Sequence, residues 1–424
     1  MPRLVPDYCT HGCPPPADHI CDAKLVLIGE APGRREDEIG QPFVGPAGSL
    51  LEHWWRDYGL TRSDFYITNA YPYRPPANKI QAIPRDQREF WGARLRERIS
   101  SLADPVLLVP TGNTALNALF PGEDLKITDY RGSVLSFTDA RGRILKVIPT
   151  IHPAATFRQP ILTKFCLADW KRIEGDRHFR ELRLPQIRVT VEPSADEYGA
   201  FCEGYMHTAR DKWPAMAVDI ENDKNTGELL CVGFSYRVDS ALVLPFSRRA
   251  LFTSGTRDRM VSYAHALCSD AIPKVLQNGQ HDAYILRRNG IDLLNYKWDL
   301  MEMDHALDPN DGGDTQAGSE GAGDSDTIRI SMRSLAVLAS LYTRFPYYKK
   351  GGRRSVKEFQ WQNLYEYNGT DCCVTRTIFP VLLDQLIQRG LVNDSDSYSP
   401  SPRLAGSLLP WVSSTADQTL QAQR

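Results

Sequence analysis

Nothing in the 424 residues is apolar for long enough to span a bilayer as a helix, and the amino terminus lacks the basic-then-apolar layout of a secretory signal. The expected compartment is therefore the cytoplasm, with no membrane partner. Charge of one sign is missing too: 50 lysines and arginines stand against 52 aspartates and glutamates, a formal net charge of −2. That balance excludes a uniformly basic coat for a polyanion, so any such ligand must be held by local patches with strong salt dependence. Cysteines are few and odd in number, nine including the adjacent Cys372 and Cys373. They do not make a secreted disulfide framework in a chain this size, and reduced thiols are expected. No internal repeat is evident. The 42% hydrophobic content is ordinary for globular chains, and the length exceeds one ordinary core.

The densest run of informative residues is GEAPGRREDEIGQPFVGPAGSLL, Gly29 to Leu51. Before it, Lys24 to Ile28 reads as a short buried strand, and Gly29 to Gly33 lets the backbone turn at its carboxyl end, where open α/β sheets place ligands. Glu30, Glu36 and Asp37 crowd around that turn, and Phe43 follows. A second strand, FYITN, ends in Asn69, with RPPAN at Arg74 to Asn78; later IPTIHPAATFR runs from a strand into His152 and Pro153. The ordinary readings are a core phenylalanine, a strand-end cap and a turn histidine. Taken as a set, GEAPG, then ED, then G-x-PFVG-x-AG resembles the family-four uracil-DNA glycosylases over about the first 180 residues. The resemblance implies an α/β/α sandwich. It implies that Gly29 and Phe43 help bind an extruded uracil, with Phe43 stacking on it, that Asn69 reads its pairing edge, and that His152 stabilises charge on the departing base. A carboxylate near the sugar would orient water, with Glu36 the first choice and Glu30 the second. Arg74 and Arg158 are candidate nucleic-acid contacts.

Family-four enzymes hold an iron–sulfur cluster with four cysteines, two near the amino terminus and two beyond the Asn strand. Here Cys9, Cys13 and Cys21 are present, but Tyr73 stands before RPP where a cysteine is expected, and the next cysteine is Cys166. The missing ligands argue against a full cluster. Zinc or an incomplete cluster on Cys9, Cys13 and Cys21, with His11 or His19 nearby, and plain free thiols remain the alternatives.

The carboxyl-terminal half carries a second constellation. AMAVDIEND puts Asp219 and Glu221 two apart near the end of an apolar strand, so period two aims both carboxylates at one face. Asn278 and Asp282 stand four apart, as do Tyr367 and Asp371, and each pair is predicted to share one helical face. Converging carboxylates of this kind suit two hard divalent ions about 3.5–4 Å apart that clamp the attacking and leaving oxygens of a phosphodiester. The order of motifs resembles the DEDD exonucleases of the tyrosine subtype, as in the proofreading domain of family A DNA polymerases, over roughly Arg188 to Leu386. That resemblance implies an RNase H-like α/β domain with a mixed sheet, two Mg²⁺ or Mn²⁺ ions on Asp219, Glu221, Asp282 and Asp371, and Tyr367 positioning the attacking water. Mononucleotides would leave from a 3′ end.

Phe345, Tyr347, Tyr348, Lys349, Lys350, Arg353 and Arg354 form a basic, aromatic-interleaved segment able to track phosphates and stack bases, or else a solvated loop with buried aromatics. Arg85, Arg88, Arg94, Arg96 and Arg98 read as one basic face of a surface helix. The domains are expected at 1–183 and 186–392, with an acidic insertion at 309–327 too poor in apolar residues to order itself, and a tail at 393–424, rich in Ser, Pro and Gln, expected to be disordered apart from a docking patch around Leu408 to Val412. Too little chain follows Asp371 for palm, fingers and thumb, so a separate polymerase is the partner considered. The expected whole is a monomeric DNA-processing enzyme joining uracil recognition or excision to a 3′→5′ exonuclease; the alternative keeps the exonuclease and leaves the first domain a uracil- or DNA-binding module.

Overall fold

The computed structural model describes residues 24–208, 214–247, 254–309, 333–348 and 361–393. Its contacts divide the chain between Leu184 and Pro185 into two units, with Arg344–Tyr347 counted with the first. The insertion beyond residue 309 and the tail beyond residue 393 lie outside the described residues. No helix among those described is long and apolar enough to cross a membrane.

The first unit is built on five strands: β1 (Leu25–Gly29), β2 (Phe65–Asn69), β3 (Leu107–Pro110), β4 (Leu135–Thr138) and β5 (Ile144–Val147), in spatial order β2-β1-β3-β5-β4. All neighbours are parallel except β4 with β5, a hairpin closed at Gly142, whose φ of 76° suits glycine. Parallel central strands must be covered on both faces, which is why LVLIG is apolar throughout rather than alternating. Val26, Ile28 and Leu108 pack with Leu95, Ile99, Ala115 and Leu119 from helices Arg85–Ser101 and Gly112–Leu119. A separate aromatic cluster joins Trp55 of helix Pro46–Asp57, Phe65 of β2 and Trp170 of helix Leu162–Asp176, with ring centroids 4.5–5.9 Å apart. Trp55 and Trp170 are fully buried, and such a side chain is worth about 3–5 kcal/mol against alanine. The result is an α/β/α sandwich whose β1 and β2 end together at Gly29 and Asn69.

The second unit has six strands: β6 (Arg188–Val191), β7 (Met216–Asn222), β8 (Leu229–Ser235), β9 (Ser240–Pro245), β10 (Lys274–Leu276) and β11 (Tyr296–Asp299), in order β11-β10-β7-β8-β9-β6. The antiparallel meander β7-β8-β9, extended by parallel β10 and β11 on the β7 side, is the mixed sheet of an RNase H-like fold. Period two splits β7 cleanly. Met216, Val218 and Ile220 join the core with Phe234, Leu244, Tyr198, Met260 and Leu267, leaving Asp219 and Glu221 to the opposite face. That face is covered by the long helix Trp361–Gln388, which comes close at Gly369, where an added Cβ would lie 2.7 Å from Val189.

Candidate active sites

In the first unit the site forms where β1 and β2 end. A Cβ on Gly29 would lie 2.3 Å from the Asn69 carboxamide oxygen and 2.7 Å from the Phe43 ring, so only glycine leaves the two side chains room to converge. Phe43 is buried yet adopts φ 54°, a strained conformation for a bulky residue. Arg62, which no sequence motif singles out, holds it there by donating to the carbonyls of Phe43 (3.0 Å) and Pro42. Gly48 helps, since a Cβ there would collide with the Phe43 carbonyl.

His152 stacks near Phe43, with centroids 5.8 Å apart and planes at 26°. Its Nδ1 accepts the backbone N–H of Ala154 at 3.2 Å, which leaves Nε2 as the donor of a neutral ring. Burial, and then the positive charge of Arg158, lower its pKa to about 4, so the imidazole stays uncharged at neutral pH. Arg158 and the neighbouring Phe157, 55% exposed, ride on the short helix that follows His152.

The two candidate carboxylates differ. Glu36 accepts the N–H of Gly45 at 2.7 Å, and Gly33 and Gly45 leave its carboxylate room, since a Cβ on either would lie 2.8 Å from it; Glu36 thus braces the PFVG loop. Glu30 follows Gly29 directly and accepts from the Thr114 hydroxyl at 2.5 Å. Arg74 donates to Asn78 at 2.8 Å, across a turn in which Ala77 and Asn78 have positive φ. The arginine run on helix Arg85–Ser101 does not form one solvent face: Arg85 and Arg94 pair outside with Glu89 and Glu97, whereas Arg96 and Arg98 turn in to the Ala118 carbonyl and the Thr68 hydroxyl. Arg85, Arg88 and Arg96 instead line a cleft with Asn113 and Asn117.

In the second unit Asp219, Glu221 and Asp371 each offer a carboxylate oxygen, all within 4.8 Å of one another. Asp282 joins them from helix Gln280–Arg288, where its carboxylate accepts the Ile220 N–H; burial first, then the charges of Glu221, Asp299 and Asp371, push its pKa up to about 8. Tyr367 and Asp371 sit four apart on one helix and bond to each other; burial and then Asp371, Glu221 and Asp219 hold the Tyr367 phenol protonated. Asn278 departs from the sequence expectation. It precedes the helix, at φ 55°, and so shares no helical face with Asp282. The cause is Asp299, which caps helix Leu300–Leu307 through Met301 N–H (2.8 Å) and also takes the N–H groups of Asn278 (3.0 Å) and Gly279 (2.8 Å). An Asp between a strand and an apolar helical run is a cap signature, and that signal was available.

Tyr348 turns inward, as the buried-aromatic reading of its segment has it: its hydroxyl donates to Asp371 at 2.5 Å, and its ring lies 6.0 Å from Tyr367. Phe345 is buried. Lys349, Lys350, Arg353 and Arg354 lie outside the described residues. Asn368, beside Tyr367, donates its Nδ2 to Asp219 at 2.8 Å, a contact no spacing announced.

A profile of the Uracil DNA glycosylase superfamily matches residues 16–174. A type-4 uracil-DNA glycosylase of Thermotoga maritima is 38% identical over 137 residues, which are 32% of this chain and 68% of the relative. One from Archaeoglobus fulgidus is 38% identical over 154 residues, 36% of this chain and 75% of the relative. The chain belongs to the uracil DNA glycosylase superfamily. Solved structures with similarity include Escherichia coli RNase D, an exoribonuclease (TM-score 0.33, 13% identity, 49% of this chain and 47% of that one), and the Aedes aegypti Nibbler EXO domain (TM-score 0.32, 11% identity, 50% and 95%).

Superfamily membership at the type-4 level raises the iron–sulfur question, and the described residues of the glycosylase-family unit do not fit a cluster. Tyr73, in the place of an expected cysteine, packs edge-on against Trp91 (5.5 Å) and Tyr71 (6.0 Å), beside Ile80 and Ile83. Cys166, the one cysteine described in this unit, is buried in helix Leu162–Asp176, where desolvation pushes its thiol up rather than toward thiolate. Cys9, Cys13 and Cys21 lie outside the described residues.

Proposed function

We propose that the chain is a DNA-processing enzyme with two activities, excision of uracil by the first unit and metal-dependent 3′→5′ hydrolysis by the second. The observation that carries the second activity is the convergence of Asp219, Glu221 and Asp371 within 4.8 Å beside Asp282 and Tyr367. Superfamily membership, with Phe43 and Asn69 meeting over Gly29, supports the first.

In the uracil reading, the extruded base lies against the Phe43 ring, and the Asn69 carboxamide supplies one donor and one acceptor to its pairing edge. The neutral His152 keeps its Nε2 proton and directs it at the oxygen on which charge gathers as the glycosidic bond breaks. Glu30 is the carboxylate we favour for orienting water, because it follows Gly29 directly at the end of β1, whereas Glu36 braces the PFVG loop through the Gly45 N–H. Phe157 and Arg158 would meet the DNA beside the pocket.

In the exonuclease reading, the all-oxygen donor set of Asp219, Glu221, Asp282 and Asp371 fits hard divalent ions, Mg²⁺ or Mn²⁺. Buried like charges also favour such ions, as the raised pKa of Asp282 indicates. Those ions would supply the charge that activates water and offsets the leaving oxygen. The phenol of Tyr367 orients the attacking water, and Asp299 holds the turn that carries Asp282 into place. Two assays test the whole. A 5′-labelled single-stranded oligonucleotide should shorten stepwise only when Mg²⁺ or Mn²⁺ is added. A uracil-containing oligonucleotide should gain alkali-labile sites when the nuclease is disabled by Asp219→Ala. Absence of either product removes the corresponding half of the proposal.

A further inference from the structure

We propose that Asn368 is a positioning residue that fixes the plane of the Asp219 carboxylate for cation binding; this rests on the exonuclease reading above. Asn368 is fully buried, and its Nδ2 donates to Asp219 Oδ2 at 2.8 Å. Three features make this a built contact. In the β7–β8 ladder the residue opposite Asp219 is Gly233, the strand neighbour with no side chain. The carboxamide occupies the space this leaves, since a Cβ on Gly233 would lie 2.4 Å from Asn368 Oδ1. Finally, Asn368 and Asp371 are three apart on one helix, so a single rigid element presents a carboxylate to the cations and a donor to the carboxylate opposite.

The choice of amide is chemically specific. A lysine or arginine at this place would neutralise Asp219 and weaken its pull on a cation, whereas a carboxamide orients the anion and leaves its charge whole. The contact also has a cost, because Asn368 Oδ1 is buried with no hydrogen-bond partner among the described residues. A buried acceptor left orphaned disfavours the fold, and a site that tolerates one is serving the other end of the same side chain.

The test is Mn²⁺ binding to the full chain without nucleic acid, followed by electron paramagnetic resonance of the free ion, alongside nuclease rate against Mn²⁺ concentration. Asn368→Ala is expected to weaken binding and raise the half-saturating concentration together, by about 10- to 100-fold, the usual range for a supporting contact to a metal ligand. The rate at saturating Mn²⁺ should fall by a smaller factor. Asn368→Ser, which keeps a donor on a shorter arm, should lie between. Should the alanine variant fail to fold, Gly233→Ala provides the second approach, since its methyl group would drive the carboxamide off Asp219 from the opposite strand. Unchanged Mn²⁺ affinity in a folded variant, or a rate loss as large at saturating Mn²⁺ as at low Mn²⁺, overturns the role of Asn368. Failure of the wild-type chain to bind Mn²⁺ would instead overturn the exonuclease reading beneath it.

Discussion

The two sites are held in place by opposite means. In the first unit the pocket is made of loops at strand ends, and its geometry depends on strained backbone: Phe43 at φ 54°, clamped through its own carbonyl by Arg62 and given room by Gly29 and Gly48. In the second, the acids stand on the interior of a strand and on one face of a 28-residue helix, with hydrogen bonds among side chains setting the alignment. The electrostatics differ in the same sense. The uracil-type pocket removes charge, keeping His152 neutral; the other gathers like charges until a proton or a cation must relieve them. A loop-built pocket is sensitive to single added atoms. A helix-and-strand site is sensitive to charge.

Substituting one carboxylate should therefore give the largest effect. Asp371→Asn keeps the shape of the side chain but removes a charge from the proposed ligand set, and nuclease turnover on labelled DNA is expected to fall by more than about a thousandfold while uracil excision stays within about twofold. Equal losses in both assays would mean that the sites are not separate. Next in size is a single methyl group in the loop-built pocket. Gly29→Ala places a carbon 2.3 Å from the Asn69 oxygen and 2.7 Å from Phe43, so single-turnover excision should drop about 10²–10³-fold with nuclease activity intact. Retained excision would show that the pocket is elsewhere.

The pH behaviour of His152 sharpens the contrast. Its folded pKa of about 4 lies below the unfolded value near 6.5, so between these limits the unfolded chain binds more protons and stability rises with pH. Stability from this residue is complete above about pH 6.5 and is lost as pH falls toward 4, by no more than about 3 kcal/mol. Denaturant unfolding at pH 4.5 and 7 compares the wild type with His152→Gln, and the difference between them should shrink or reverse at the acid end. Parallel pH dependence in both proteins would mean that His152 is charged in the fold.

Much of this was legible from residue order. The apolar run before Gly29, FYITN ending at Asn69 and the period-two pair Asp219 and Glu221 each announced a strand and the face or end on which chemistry would stand. Tyr367 and Asp371 announced themselves by helical spacing. The same rule failed for Asn278 and Asp282, because four-residue spacing says nothing about where a helix begins, and here Asp299 draws the backbone into a left-handed turn just before it. It failed for the arginine run because charge does not report direction: Arg96 and Arg98 extend inward to carbonyl and hydroxyl partners. Arg62 and Asn368 were invisible since each acts on a residue far away in sequence, and no local pattern encodes such a contact.

The smallest expected effect tests whether the charge-built site depends on its supporting turn at all. Asp299 uses both carboxylate oxygens, Oδ1 on the N–H groups of Asn278 and Met301, and Oδ2 on the Gly279 N–H and the Tyr296 hydroxyl. A carboxamide in its place would keep one accepting oxygen and present an NH₂ group to the other pair of donors, so Asp299→Asn should cost about 1–2 kcal/mol in thermal or denaturant unfolding. The same change removes one of the negative charges that raise the pKa of Asp282. Looser positioning and weaker repulsion oppose each other at the cations, and nuclease activity should change by about tenfold or less, against the roughly thousandfold loss of Asp371→Asn. A loss as large as that of Asp371→Asn would move Asp299 from the support of the site into the ligand set itself.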